Sequence, residues 1–115
     1  MQIIEIITVR VMETQREPLL NFLESRIDAF QFPETLKALE CHAHVVMSSD
    51  ISIHLIWKIF PGKYGRSDLC LLFEDGLKEF GLVDCNTWVR QFRLAKPSEP
   101  EGVFKTEVKP WKKNI

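Results

Sequence analysis

The order in which two hydrophobic periodicities alternate along the chain is the feature that most restricts its fold. The segment from Gln2 to Met12 is almost continuously apolar and rich in Ile and Val, which is typical of a strand buried on much of both faces. From Leu19 to Phe30, apolar residues recur at three- and four-residue steps, and Pro33 prevents this predicted helix from continuing. The chain is therefore predicted to begin with a strand followed by a helix.

The same order returns in the second part of the chain, with one additional strand. Glu40 to Met47 and Ile51 to Phe60 are predicted strands of a hairpin, and the preceding segment PETLKAL is either a short helical turn or a loop. Leu69 to Phe80 has clear helical spacing, and Gly81 is placed to end that helix. Asn86 to Leu94 alternates with period two and is the fourth predicted strand.

This order of elements predicts an α+β fold with split βαββαβ topology. Right-handed crossovers give an antiparallel four-stranded sheet of order 4-1-3-2, with two helices on one face. We expect residues 1–95 to form this domain, and residues 96–115 to be a C-terminal tail that is extended or forms a short strand, since they hold three of the six prolines. The uncovered sheet face, here called the open face, must be solvated, bind a ligand or pack on a partner.

Composition excludes several functional classes. The formal net charge is −1, so a strongly basic surface for nucleic acid is not expected. No apolar run reaches the roughly 18 residues that span a bilayer, and there is no signal-peptide pattern, so we expect a cytoplasmic protein without membrane contact. Three cysteines without a CxxC pair predict reduced thiols. Nucleotide-binding, zinc-protease and hydrolase motifs are absent from the sequence, and we expect no cofactor.

Strand register decides which side chains lie on the open face. A three-residue loop at 48–50 would place Met47 opposite Ile51 and His44 directly opposite His54, with His42 two residues along the same strand. This register is favoured over a two-residue loop because it gives one coherent apolar face. The facing parity of the first and fourth strands stays open, and Trp88 is either core or cavity lining. The candidate ligand-binding residues of the open face are His42, His44, His54, Lys58, Arg10 and Trp88.

The histidines have three interpretations. Neutral imidazoles of His42, His44 and His54 that converge would suit a transition metal with one open coordination position. Alternatively, they form a pH-sensitive or ligand-contacting polar patch. Ordinary surface or interface histidines are the favoured interpretation, and no metal is expected, because the sequence offers no obvious acidic partner for the imidazoles.

One known group shares this pattern. Four segments carry the likeness, and they lie within residues 2 to 95. They are the Ile-rich first strand, the hairpin HAHVVMSSDISIHLIWK, the helix from Leu69 to Phe80 and the strand CNTWVRQF. In topology and hydrophobic pattern they resemble the ferredoxin-like dimeric α+β barrel superfamily, which includes antibiotic-biosynthesis-type monooxygenases. The resemblance implies a homodimer whose open faces enclose a pocket, and some members of the group oxidise small substrates without metal or cofactor. It carries over no catalytic residue, so the catalytic residues are unknown.

Two functional hypotheses follow from these observations. The first is a small homodimeric protein that binds a small molecule or a partner on the open face. The alternative is a small cofactor-independent monooxygenase-like or metal-assisted enzyme that uses the pocket between the two sheets. RNA binding is excluded because the third strand, ISIHLIWKIF, lacks the Gly-aromatic motif on which RNA-recognition domains stack bases.

Overall fold

A computed structural model describes residues 2–62 and 65–95, so the predicted tail at 96–115 lies outside the described residues. The strands form one four-stranded antiparallel sheet of order β2-β3-β1-β4. This is the predicted order 4-1-3-2, and the predicted ferredoxin-like α+β fold is confirmed. The elements are β1 (Ile3–Val11), a 3₁₀ turn (Glu13–Gln15), α1 (Arg16–Ala29), β2 (Leu36–Ala43), β3 (Asp50–Trp57), α2 (Asp68–Leu77) and β4 (Gly81–Val89).

The core lies between the two helices and one face of the sheet. β1 and β3 are central, and their buried residues alternate along each strand, as in Ile7, Val9, Ile51, Ile53 and Leu55. Side chains two residues apart share one face, so the even-numbered residues of β1 point to the open face. This settles the facing parity of β1. The helices contribute the buried residues Leu19, Leu20, Leu23, Cys70, Phe73 and Leu77.

Helix α2 begins where the sequence pattern indicates, and its buried stripe differs at one position. The side chain of Ser67 accepts a hydrogen bond from the Cys70 N–H at 3.0 Å and so caps the helix. The helical spacing from Leu69 predicts Leu72, three residues later, on the apolar stripe, but Leu72 is half exposed. The fully buried Cys70 takes its place in the core. No helix among the described residues is long and apolar enough to cross a membrane.

Two strands lie closer to the N-terminus than predicted. β2 occupies Leu36–Ala43, not 40–47, so PETLKAL is neither a helical turn nor only a loop. β4 occupies Gly81–Val89, not 86–94, and pairs with β1 from its first residue. Gly81 does not end α2 as predicted. It starts β4, where its Cα lies so close to the Arg10 carbonyl that a Cβ would collide with it.

The predicted hairpin register is wrong by four residues. Ile51 pairs with Ala43, whereas the predicted three-residue loop placed Met47 opposite Ile51. The connection is therefore the six-residue segment 44–49, closed by the hydrogen bonds His44 N–H to Asp50 O (2.8 Å) and Asp50 N–H to Met47 O (2.9 Å). A shift by an even number preserves the alternation of faces. His42 and His54 consequently lie on the open face as predicted, but each pairs with a different residue of the neighbouring strand from the one predicted.

Candidate functional site

The open face changes character from one end of the sheet to the other. Near Trp88 it is apolar, because Trp88 lies opposite Ile4, which in turn pairs with Ile56. Towards the β2–β3 loop it becomes polar, and two rows of residues cross the sheet there. These rows are Glu40, His54, Ile6 and Asn86, then His42, Ser52, Thr8 and Asp84.

A cluster of two imidazoles and one carboxylate lies within these polar rows. His54 pairs with Glu40, not with His44 as predicted, and His42 pairs with Ser52. The rings of His42 and His54 stack with centroids 4.3 Å apart and planes 25° from parallel. Glu40 Oε1 is 3.1 Å from His42 Nε2, and Ser52 Oγ is 3.0 Å from His54 Nε2. The sheet register therefore brings together His42, His54 and Glu40.

His54 is favoured in its neutral form. Partial burial lowers the pKa of its imidazole, the neighbouring His42 lowers it further, and Glu40 acts in the opposite direction. Burial disfavours the charged imidazolium because it removes solvating water. A neutral ring keeps an unprotonated nitrogen that accepts a hydrogen bond or binds a metal ion.

His44 lies outside this cluster and has a local structural role. Its Nδ1 accepts the backbone N–H groups of Val46 and Met47 at 3.1 and 3.0 Å. These bonds satisfy two donors of the exposed loop 44–49 in the manner of a side-chain cap. The structure therefore does not bring all three histidines together, as the metal interpretation would require, and only His42 and His54 meet.

A groove of about 500 Å³ opens beside the cluster, at the loop end of the sheet. This volume is in the range of small-molecule sites. Arg10 contributes its guanidinium and forms an ion pair with Asp50, with Nε 3.4 Å from Oδ1. The described side chains that give the groove its polarity are Thr8, Arg10, His44, Asp50, Ser52 and Asp84, and Leu82 adds an apolar wall.

The two remaining candidate residues lie away from this groove. Lys58 follows the end of β3 and lines a shallower depression of about 290 Å³ with Gln2, Lys37 and Arg90. Trp88 is 62% exposed on the open face, so it is not a core residue. The predicted candidate residues thus separate into three groups. His42 and His54 form the cluster, Arg10 and His44 line the groove, and Lys58 and Trp88 lie away from both.

Sequence reasoning missed two glutamates. The sequence pattern predicts Glu40 as the first residue of the second strand and indicates no partner for it. Its spacing of two residues from His42 is the signal that places both on one face of a strand. Glu5 lies on the opposite face of the sheet and is fully buried. It accepts hydrogen bonds from Trp57 Nε1 (2.8 Å) and from the N–H and hydroxyl of Ser67 (2.7 and 2.5 Å).

A second group of ligand-type side chains, Cys70, Glu74 and Cys85, lies on the helix side. All three cysteines of the chain are free thiols. Burial is the main cause that raises the pKa of Cys70 and of Cys85, and it raises that of Cys41 to about 11. Metals bind the thiolate, and Glu74 is held by Arg66 at 2.8 Å. Cys70 and Cys85 are also buried, whereas Glu40 and His42 are half exposed, so a metal ion in solution reaches the open-face cluster more readily.

Solved structures with this fold are known, whereas no protein-family model and no curated protein matches the chain. A Deinococcus radiodurans protein assigned as an antibiotic biosynthesis monooxygenase superposes with a TM-score of 0.64 at 10% identity, over 84% of this chain and 99% of that chain. SnoaB, a cofactor-independent oxygenase from Streptomyces nogalater, superposes with a TM-score of 0.60 at 6% identity, over 83% and 98%. A conserved protein of unknown function from Bacteroides thetaiotaomicron gives 0.59 at 15% identity, over 76% and 95%.

The chain has the fold of the antibiotic-biosynthesis-monooxygenase-like proteins. The resemblance inferred from the sequence is thereby confirmed at the level of topology. Identities of 6 to 15% support the fold and no more. The chemistry of this protein must be argued from its own open face.

Proposed function

We propose that the protein is a cytoplasmic homodimer whose two open faces pack on one another and enclose a small-molecule site. The observation that carries the proposal is the apolar part of an otherwise uncovered sheet. Trp88 is 62% exposed at the apolar end of this face beside Ile4, and Leu82, at the loop end of the same face, is 77% exposed. Exposed apolar surface of this kind marks interaction sites. The cysteine pattern supports the location, because three cysteines without a CxxC pair do not suggest a disulfide framework, and disulfides are rare in the reducing cytoplasm.

A second copy is the partner that this surface fits best. In a two-fold interface each apolar residue contributes twice, because the same patch is used by both subunits. Covering the exposed part of a Trp side chain removes roughly 100–150 Å² from water, which contributes about 3 kcal/mol per chain before the costs of association. The net charge of −1 gives little repulsion between two copies. These terms together favour self-association over binding to a charged polymer.

The ligand of this dimer is a small organic molecule with polar groups. The groove beside the histidine cluster offers donors from Arg10 and Ser52 and acceptors from Asp50 and Asp84. Closure by a second sheet would exclude water from this groove and strengthen its polar contacts. The apolar wall at Leu82 would contact the carbon skeleton of the ligand.

Sedimentation of variants on opposite faces tests the dimer. The natural protein is expected to sediment as a dimer at micromolar concentration. Trp88→Glu should give a folded monomer, because a charge would be buried in the interface. The matched control is Leu71→Glu, since Leu71 is 47% exposed on α2, on the helix side. A monomeric natural protein, or dissociation caused by Leu71→Glu and not by Trp88→Glu, would overturn the proposal.

An oxygenase acting in the same pocket is the second candidate. It is supported by the likeness of the fold to that of SnoaB, a cofactor-independent oxygenase. Oxygen consumption with a panel of electron-rich phenols tests it. Turnover that is lost when the groove residue Arg10 is replaced by Gln would support the enzyme. If the protein binds these phenols and no oxygen is consumed, the result would instead support a binding protein.

A further inference from the structure

We propose that Glu40, His42 and His54 form a binding site for one divalent transition-metal ion on the open face. One ligand atom from each of the three side chains lies within 4.8 Å of the other two. The side chains come from two adjacent strands of the sheet, so their backbones are fixed by the β2–β3 ladder. A preorganised backbone lowers the cost of assembling a metal site.

The geometry requires only a small adjustment of side chains. Ligand atoms about 2.1 Å from a tetrahedral or octahedral metal are about 3.0–3.4 Å from one another. Glu40 Oε1 and His42 Nε2 are already 3.1 Å apart. The ring of His54 stacks on that of His42, with the two centroids 4.3 Å apart. A rotation about the side-chain bonds of His54 would bring one of its nitrogens to the metal position between Glu40 and His42.

The donor set selects the class of metal. Two imidazoles and one carboxylate are the ligands of catalytic zinc sites and of non-haem Fe(II) sites, whereas Mg²⁺ and Ca²⁺ prefer oxygen ligands. Glu40 and His42 are half exposed, with side-chain exposures of 49% and 50%. The metal would therefore keep at least one position for water or a ligand from the adjacent groove.

Two existing contacts compete with the metal. Ser52 Oγ occupies Nε2 of His54 at 3.0 Å, and the Glu40 carboxylate is paired with His42. Removing the serine hydroxyl leaves all three proposed ligands in place and frees the His54 nitrogen. Ser52→Ala should therefore bind the metal at least as tightly as the natural protein.

The site deepens the proposed function, because the proposed dimer would enclose it beside the groove, but metal binding does not require the dimer. All three ligands belong to one chain. The monomeric Trp88→Glu variant should therefore still bind one metal ion per chain. If the natural protein binds no metal, the proposed metal site fails and the proposed dimer stands. If the natural protein is a monomer, the proposed dimer fails and the metal site stands.

The test is titration calorimetry of metal-free, tag-free full-length protein with Zn²⁺, and with Mg²⁺ as the comparison. One Zn²⁺ per chain is expected, with at least tenfold weaker binding of Mg²⁺. Glu40→Gln, His42→Gln and His54→Gln should each weaken Zn²⁺ binding at least tenfold. His44→Gln is the matched control and should bind as the natural protein does, because His44 Nδ1 accepts loop N–H groups outside the cluster.

Three results would overturn this assignment. The first is the absence of Zn²⁺ binding to the natural protein. The second is an equal loss of binding in His44→Gln. The third is full binding in His54→Gln together with loss in Cys85→Ser, which would assign the metal to the thiol group on the helix side. Circular dichroism of each variant establishes that a loss of binding is not a loss of fold.

Discussion

Glu5 is a carboxylate in the apolar core, and its hydrogen bonds explain why it is tolerated there. It is 0% exposed, and its two oxygens accept three hydrogen bonds from Trp57 and Ser67. Ser67 is also the N-cap of α2, so Glu5 connects the central strands to the start of that helix. A buried charge is stable only when such partners satisfy it.

We expect Glu5→Gln to lower the free energy of unfolding by about 2–3 kcal/mol, since an amide nitrogen would face a donor and leave it unsatisfied. Urea denaturation followed by circular dichroism measures this change. Glu40→Gln is the control. Its side chain is half exposed, so metal-free protein with this change should stay within about 0.5 kcal/mol of the natural protein. An equal effect of both substitutions would contradict the role assigned to Glu5.

The histidine cluster illustrates which part of a site a sequence can predict. Period-two alternation correctly placed His42 and His54 on the open face, because alternation depends only on strand geometry. It could not identify Glu40 as the partner of His54, since partners depend on register, and register depends on where the β2–β3 loop begins and ends. The same error in register concealed the role of His44, which accepts hydrogen bonds within the β2–β3 loop.

At the scale of the elements, the types and order were predictable, and the ends of two strands were not. The apolar pattern of β4 extends beyond Val89, but its ladder with β1 ends there because β1 begins at Ile3. Pairing with a neighbour, not local sequence, sets these limits. In the same way, the start of β2 at Leu36 is fixed by its ladder to the far end of β3 at Trp57.

Gly81 is the position where an element boundary can be tested. A Cβ there would collide with the carbonyl of Arg10 in the adjacent strand. We expect Gly81→Ala to separate β1 from β4 locally and to cost about 1–3 kcal/mol of unfolding free energy, which is typical of overpacking. Asn86→Ala, at an exposed position of the same strand, is the control and should have little effect. If Gly81→Ala were as stable as this control, the close approach would be disproved.

At the scale of the whole molecule, topology followed from the sequence because handedness and helix placement leave few arrangements of six elements. The strand order, the central position of β1 and β3 and the single helical layer were all predictable on this basis. The composition of the open face was only partly predictable. The sequence pattern did not decide which alternate residues of β1 and β4 face outward, and the burial of Ile7 and Val9 in the structure decides it.

We expect a chain that ends at Ala95 to fold without residues 96–115. All helices and strands described above lie between Ile3 and Val89, together with the buried residues of the core. Its urea unfolding should remain cooperative, with a free energy within about 1 kcal/mol of that of the full chain. A chain ending at Val83 is the control and should not fold, because it lacks most of β4. Non-cooperative unfolding of the longer fragment would show that the tail belongs to the domain.

Trp57 and Trp88 lie on opposite faces of the sheet and have opposite surroundings. Trp57 is 2% exposed against Glu5 in the core, whereas Trp88 is 62% exposed on the open face. With Trp111 replaced by Phe, the protein therefore carries two tryptophan fluorophores that report on different surfaces. Blue-shifted emission from Trp57 would follow unfolding, and quencher-accessible emission from Trp88 would follow whatever covers the open face.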